Sequence, residues 1–229
     1  MEFNSNLNVP PERHVMTLGG QGWIGLVNSM GSEVTIVNAA RVSFGKMKSE
    51  MDDGDAKLLK YLIDHQHTTP MEHVCFTFLI HCPLFVRSQW HRHRTWSYNE
   101  ISRRYTESDV ELYVPVEIRK QSENNRQASV KSDDLDQDAC ISMVRKANEE
   151  AFKAYEELLR NGVCREQARG VLPQNMMTTF WATVDLNNLN KFLVLRDSDH
   201  AQSEIREYAA AIKKLIAPDF PNLARICGW

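Results

Sequence analysis

The chain has 229 residues, 42% hydrophobic and 25% charged, which is enough for one large domain with a sizeable core. Its formal net charge of −3 argues against a general nucleic-acid binder, which would carry an excess of basic residues. There is no signal-peptide pattern, no apolar run near the roughly 18 residues of a membrane span, and no closely spaced pair among the five cysteines, so we expect a cytoplasmic protein with free thiols.

The N-terminal part of the chain predicts a lead-in followed by a strand and helices. Residues 1–15 are polar, and we expect them to form a loose lead-in to one domain over residues 16–229. Residues 23–27 resemble a strand, whereas residues 34–44 are compatible with a strand or a helix. Asp55 is a plausible N-cap of a helix whose apolar residues repeat with helical spacing.

The middle of the chain contains a strand, a polar loop and a long helix. Residues 74–80 alternate and are rich in β-formers, which predicts a strand. Pro83 suits the first turn of a following helix. Residues 106–139 are aperiodic and predict a surface loop, most polar at about 119–139. Apolar residues over 141–159 trace one helical stripe.

The C-terminal part predicts one more core strand and two helices. Residues 178–186 read as the strand, and residues 189–195 as a short helix or turn. A last helix is expected from about His200 until Pro218 stops it. Few strands and several helices, without regular alternation, indicate an α+β fold.

The most distinctive segment is RHRTWSYNEISRRY, residues 92–105. It holds four arginines and no lysine, with small hydrogen-bonding residues and aromatics between them. Arginine presents a planar fork of donors that matches phosphate and carboxylate. The segment therefore predicts a site for an anionic, hydrogen-bond-rich ligand. The chain lacks glycine-rich nucleotide fingerprints, so any nucleotide would be held by side chains.

Metal and nucleophile chemistries are the alternatives for this region. Six of the eight histidines lie between positions 65 and 93, but His93 stands between Arg92 and Arg94, which oppose a cation. We therefore predict no metal site. Cys82 and Ser102 lack the partners that would activate a nucleophile. Hydrogen-bonding or strand-face roles are favoured for His65, His81 and His91.

Two downstream arginine groups are further candidates. Arg196 follows an apolar run, and considered alone it favours an ion pair with Asp197 or Asp199. Arg165 and Arg169 are four apart on an expected helix, and Arg169 lies where it would enter the same pocket. Taken singly, each is more simply a surface arginine.

Together these blocks resemble the flavin-dependent thymidylate synthases, the ThyX family. Arg92-His93-Arg94, then seven residues, then Ser102 matches the family signature, and the longer form R-H-R-x-x-S-x-N-E-x-S-x-R-Y is matched at every fixed position. The likeness extends over roughly residues 18–217. It implies a ThyX-like fold, with a central, mostly antiparallel sheet flanked by helices.

The resemblance also implies a reaction. In this family dUMP and 5,10-methylenetetrahydrofolate give dTMP and tetrahydrofolate, and NADPH supplies electrons through FAD. No cysteine attacks the pyrimidine. Enzymes of this family are homotetramers with active sites at subunit interfaces, so the resemblance implies this assembly too.

Residue roles carried over from the family form four groups: catalytic, stacking, dUMP-binding and FAD-binding. Arg196 would be catalytic, beside N3 of uracil. His67 would stack on flavin and folate. Glu100 would serve both nucleotides. The implied dUMP-binding residues are Gln89, Trp90, His91, Arg92, Glu100, Ile101, Ser102, Arg103, Arg104, Arg169 and Arg196. The implied FAD-binding residues are Thr69, Arg92, His93, Arg94, Glu100, Asp185, Asn187 and Lys191, the last three in a segment that departs from the family's usual Asn-x-Arg pattern.

Two other classes of function remain open from the residues. One is a nucleotide- or RNA-binding module that uses the arginine-aromatic segment for phosphate contacts and stacking. The other is a metal-dependent nucleotide hydrolase that uses the His-x-His pairs. Flavin absorbance separates the first from the enzyme, and elemental analysis reveals the second.

Overall fold

A computed structural model describes residues 13–107, 110–126 and 128–229. Most of the expected lead-in, residues 1–12, lies outside them. Strands and helices alternate irregularly along the described chain. The strands are β1 (His14–Thr17), β2 (Gly22–Met30), β3 (Cys75–Pro83), β4 (Ser97–Glu100), β5 (Lys120–Gln121), β6 (Ser129–Val130) and β7 (Met177–Asp185). The helices are α1 (Glu33–Arg41), α2 (Asp53–Asp64), α3 (Leu84–Trp90), α4 (Gln137–Arg160), α5 (Arg165–Ala168), α6 (Leu186–Arg196), α7 (Ser203–Ile216) and α8 (Pro221–Cys227).

The centre of the molecule is a five-stranded sheet in the order β1-β2-β3-β7-β4. Every neighbouring pair in it is antiparallel. The β3–β7 ladder is the most regular, running from Cys75 opposite Asp185 to Pro83 opposite Met177. The expected α+β fold with a central antiparallel sheet is confirmed.

The two faces of the sheet differ in what covers them. On one face Ile24, Phe78 and Phe180 are almost fully buried against the helices, in a core that includes Ile212 of α7. On the other face Trp181 keeps 46% of its surface exposed. Period-two alternation along each strand therefore separates a packed face from an open one.

The start of α2 corrects one prediction. Asp52, not Asp55, is the N-cap: its Oδ1 accepts from the Asp55 N–H at 2.9 Å, and the Asp55 carboxylate accepts from the Asp52 N–H at 3.0 Å. Asp55 is fully buried and pairs with Arg41 and Lys48. The backbone N–H of the N-cap and two cations therefore hold the carboxylate of Asp55, which the sequence had assigned to the cap itself.

Other boundaries differ from the sequence-based expectations. Residues 34–44 are helical, in α1 and a 3₁₀ turn. β1 begins at His14, inside the expected lead-in, because it pairs with β2. The polar loop contains the short β5–β6 pair, and α4 begins at Gln137 within it. Helix α8 was not expected. In the described residues, no helix is both long and apolar enough to cross a membrane.

Gly22 provides a test of how tightly β2 packs. A Cβ at this position would overlap the Tyr208 hydroxyl and crowd Thr17 and the backbone O of His81. We expect Gly22→Ala to lower the free energy of unfolding by about 1–3 kcal/mol, as overpacking does. Gly170→Ala is the control, since a Cβ there meets no atom within 4 Å. Equal melting temperatures for the two variants would contradict this packing.

Candidate active site

Arg196, the last residue of α6, lies against the end of α3. Its Nε donates to Nε2 of His93 at 3.0 Å, and one Nη donates to the backbone O of Gln89 at 3.0 Å. The Gln89 side chain donates in turn to Gln202. Arg196 therefore contacts two other residues that the sequence proposed for the site, which lie 103 and 107 positions before it.

The electrostatics of this contact keep the imidazole neutral. Burial, and then the charge of Arg196, lower the pKa of His93 to about 4. Since Nε2 accepts a hydrogen bond, the network assigns the ring proton to Nδ1. Burial and the nearby charge of Arg92 also lower the pKa of Arg196. Arg196 thus has a neutral partner and a cationic neighbour.

Arg92 and Arg94 are exposed at the same end of the molecule. Within the described part of the chain, neither guanidinium forms an ion pair, whereas Arg87 and Arg104 do. Cations placed close together without carboxylates repel one another. Their arrangement suits a polyanionic ligand, which would supply the missing negative charge.

Glu100, at the end of β4, is held from two sides. Arg87 Nε donates to its Oε1 at 3.1 Å, and Thr178 Oγ1 donates to the same oxygen at 2.7 Å. Arg87 belongs to α3 and Thr178 to β7, so the carboxylate joins three elements. Neither partner was among the residues proposed from the sequence, although Arg87 lies only five positions before the RHR segment.

The Ser102–Arg104 segment is anchored to the sheet. Ile101 N donates to Thr179 O at 2.9 Å. Arg103 is only 5% exposed, whereas Arg104 is exposed and pairs with Glu166 at 3.3 Å. Of these two adjacent arginines, one side chain therefore lies in the protein interior and the other lies at the surface.

A polar chain lies beneath this segment. His81 Nδ1 is 2.9 Å from Thr179 Oγ1, and His81 Nε2 is 3.4 Å from Glu111 Oε2. The hydrogen bond from His81 lowers the pKa of Glu111, and the charge of Arg103 contributes in the same direction. The strand-face role expected for His81 is thus a hydrogen-bonding one. Glu111 carried no motif signal in the sequence.

Trp90 and His91 face the core rather than a cavity. The Trp90 side chain is fully buried and packs on Phe180, Phe192 and Tyr208. Any contact of Trp90 with dUMP would therefore use its backbone. His91 stacks on Tyr98 with 4.2 Å between ring centroids, and burial lowers the pKa of His91.

The remaining proposed FAD residues gather at the other end of α6. Asp185 is the N-cap and accepts from Asn188 N at 2.9 Å, while Lys191 Nζ donates to Asn188 Oδ1 at 3.3 Å. Asn187 is buried and donates to Glu72 at 3.0 Å. Glu72 follows Thr69 within one 3₁₀ turn, Thr69–His73.

His67, the proposed stacking residue, is exposed next to this 3₁₀ turn. Its ring lies edge-on to Tyr61, with centroids 5.6 Å apart. An exposed aromatic pair can offer a ring face to a planar ligand.

The proposed dUMP residues form two groups within one chain. Gln89 and Arg196 lie at the end of α3, whereas Ser102, Arg104 and Arg169 lie beyond β4. The four residues of β4 span roughly 13 Å at about 3.3 Å per residue. In the described ranges, no hydrogen bond or ion pair joins the groups. The described residues also include no cluster of three or more His, Cys, Asp or Glu side chains that is arranged to hold a metal ion.

Comparisons with known proteins identify the family. A family model described as thymidylate synthase complementing protein matches residues 25–222. The chain belongs to this family. The resemblance inferred from residues 92–105 is therefore confirmed.

Relatives in the thymidylate synthase complementing protein family are similar over most of their length. A flavin-dependent thymidylate synthase from Thermus thermophilus is 46% identical over 201 residues, which cover 88% of this chain and 73% of the relative. One from Thermosipho africanus is 43% identical, with 88% of each chain covered. The crystal structure of a UMP/dUMP methylase from Streptomyces cacaoi bound with 5-Br dUMP superposes with a TM-score of 0.81 at 33% identity, covering 89% of this chain and 93% of that one.

The histidine of the family signature provides a titration test. We expect NMR to give His93 a pKa of about 4, and Arg196→Gln to raise it by removing a positive charge. Arg196→Lys, which keeps the charge, is the control. Between about pH 4 and 6.5 the unfolded chain binds more protons at this residue, so His93 makes stability fall on acidification through that window. An unchanged pKa in Arg196→Gln would contradict the coupling.

Proposed function

We propose that this protein is a flavin-dependent thymidylate synthase, which converts dUMP to dTMP with 5,10-methylenetetrahydrofolate as the one-carbon donor. The observation that carries the proposal is the setting of Arg196. Its guanidinium is half-buried and donates to a neutral imidazole and a backbone carbonyl. Because no carboxylate neutralises it among the described residues, its charge is available to an anionic substrate.

Arg196 would act on the pyrimidine. A cation beside N3 of uracil lowers the pKa of that nitrogen and favours its anionic form. The added electron density reaches C5, the carbon that must attack the one-carbon unit. His93 would fix the guanidinium through Nε while leaving it charged, and Gln89 would fix it through a backbone carbonyl. No cysteine nucleophile is needed: Cys82 is fully buried, and burial raises the pKa of its thiol.

Binding of dUMP would divide between phosphate and base. Arg92, Arg104 and Arg169 are exposed guanidinium groups that suit the phosphate. Ser102 would add a hydroxyl, and the Gln89 side chain would pair with uracil by exchanging its bond to Gln202. Contacts of Ile101 and Arg103 would use the backbone, since the Arg103 side chain is buried.

The residues present also fit FAD. Arg92 and Arg94 lack carboxylate partners in the described chain and would hold the pyrophosphate or ring carbonyls, with Thr69, Glu100 and Lys191 as further polar contacts. The chemistry that FAD would supply when bound is hydride donation to the pyrimidine, with NADPH as the source of electrons. His67 would present its exposed ring to flavin and folate.

Assembly as a homotetramer with active sites at subunit interfaces would unite the two dUMP groups. Within one chain β4 holds them apart, so groups from neighbouring subunits would complete one site. The apolar stripe of α4 supports an interface, because Ile141, Val144 and Phe152 remain only partly buried. We expect the enzyme in the cytoplasm, where its folate and NADPH substrates occur and its five free cysteines stay reduced.

Replacement of Arg196 tests the proposed chemistry. Arg196→Lys keeps a charge but loses the planar fork, so we expect dTMP formation to fall at least about 100-fold, as for loss of a preorganised donor, while dUMP affinity changes less. Turnover assays and calorimetry measure the two quantities. Arg145→Lys on the exposed side of α4 is the control. Unchanged turnover in Arg196→Lys would refute the role.

The function itself is tested with the purified protein. We expect flavin absorbance bands, NADPH oxidation that changes when dUMP is added, and dTMP only when methylenetetrahydrofolate is present. A colourless protein that FAD does not reconstitute would contradict the proposal and favour the nucleotide-binding alternative.

A further inference from the structure

The residue that follows Arg196 is an aspartate at the C-terminal end of a helix. Asp197 is the C-cap of α6, and its backbone N–H donates to Leu193 O at 2.9 Å. The carbonyl groups at a helix C-terminus carry a partial negative charge, which disfavours a carboxylate there. Asp197 therefore needs a cation, and the nearest one along the chain is Arg196, the residue proposed to act on uracil.

Lys213 of α7 supplies a different cation. Its Nζ lies 2.6 Å from Oδ2 of Asp197, and the two side chains are only 19% and 37% exposed. Solvent and salt screen a partly buried pair less than a surface pair. The pKa of Arg196 agrees with this pairing: burial and the charge of Arg92 lower it, whereas a contacting carboxylate would raise it. Asp197 is thus paired with α7 and not with Arg196.

A cavity of about 250 Å³ beside this pair shows that Lys213 has no substitute there. Its described walls include Asp197, Lys213 and Trp229, and Lys213 is the only cationic side chain among the described lining residues. The other aspartate of this turn is in a different position. Asp199 pairs with Arg206 at 2.7 Å but is 91% exposed, so water screens its charge. Of the two pairs, that of Lys213 therefore neutralises the less exposed carboxylate.

We propose that Lys213 is a positioning residue for the reaction: by holding Asp197, it leaves the charge of Arg196 available to the anionic form of uracil. This role rests on the proposed function, whereas the pairing rests on the structure alone. Without Lys213, the carboxylate of Asp197 would be an unpaired negative charge next to Arg196. It would either pair with the guanidinium or oppose negative charge on N3 of uracil, and both effects raise the pKa of that nitrogen. The chemical step would be slowed more than binding, since other arginines are proposed to hold the phosphate.

The test measures kcat, and KM for dUMP, in charge variants of the full chain. We expect Lys213→Met to lower kcat about three- to tenfold, the scale of one unit charge several ångströms away in a partly buried site, and to change KM less. Asp197→Asn should keep the wild-type kcat. Combined with Lys213→Met it should restore kcat, because it removes the unpaired charge. Lys213→Arg should also keep kcat. Lys214→Met, the same change at the exposed next position of α7, is the control.

His93 gives a second measurement that does not depend on turnover. Its Nε2 accepts from Arg196, so its pKa reports the electrostatic potential at the guanidinium. An unpaired carboxylate nearby favours the charged imidazole. We therefore expect NMR titration to show a higher pKa of His93 in Lys213→Met, and the wild-type pKa in the double variant with Asp197→Asn.

Several results would overturn the inference. If Asp197→Asn is as slow as Lys213→Met, or if the double variant stays slow, the pair only stabilises the fold, and melting curves would show the loss. An unchanged pKa of His93 in folded Lys213→Met would also refute it. If Lys213→Met does not fold, Lys213→Gln takes its place, because it keeps a hydrogen-bond donor without the charge. A wild-type protein that forms no dTMP would contradict the proposed function, and the titration of His93 would still test whether Lys213 keeps Asp197 from Arg196.

Discussion

The antiparallel pairing of β3 with β7 is the constraint on which the candidate site depends. Both strands have nine residues and pair along their full length. Since β3 ends where β7 begins, α3 and α6 start from opposite ends of the ladder. The 11 residues of α6 cover roughly 16 Å, so this helix returns along the sheet toward α3. Arg196 and His93 meet because two helices of these lengths converge over a ladder in this register. A slip of one residue between β3 and β7 would place Phe78 and Phe180 on opposite faces of the sheet and would separate the two helix ends.

The arginines near the candidate site differ in whether a carboxylate is their partner. Arg87 pairs with the partly buried Glu100, so its charge is balanced inside the protein, whereas the pair of Arg104 with Glu166 is exposed. Arg196 has an imidazole whose pKa is too low for it to be charged near neutrality. Arg92 adds a further positive charge beside it. The surplus of cations at one end of α3 therefore supports the proposed site, in which anionic ligands would supply the negative charge.

The sequence predicted three of the five strands of the sheet, β2, β3 and β7, and most of the helices, because these depend on local periodicity and residue type. It missed β1 and β4, which have four residues each and lie at the two edges of the sheet, where each pairs with a longer strand. It chose Asp55 as the cap because three nearby aspartates are alike in sequence. The burial of Asp55 between Arg41 and Lys48 comes from tertiary packing.

Long-range partners were the part of the site that no local pattern contained. Considered alone, Arg196 favoured an ion pair with Asp197 or Asp199, which are its neighbours in sequence. Asp197 instead pairs with Lys213, and Asp199 with Arg206, both from α7. Because both neighbouring carboxylates are paired with α7, Arg196 forms its hydrogen bond with His93 instead. Tertiary packing also determines which of the two adjacent arginines, Arg103 or Arg104, is buried and which is exposed. The backbone of the Ser102–Arg104 segment is tied to β7 through Ile101, so Arg103 faces the sheet, near Glu111, while Arg104 is exposed and pairs with Glu166 of α5. Of the two arginines only Arg104 is exposed, as its proposed role in binding requires, and this distinction follows from orientation and not from residue type.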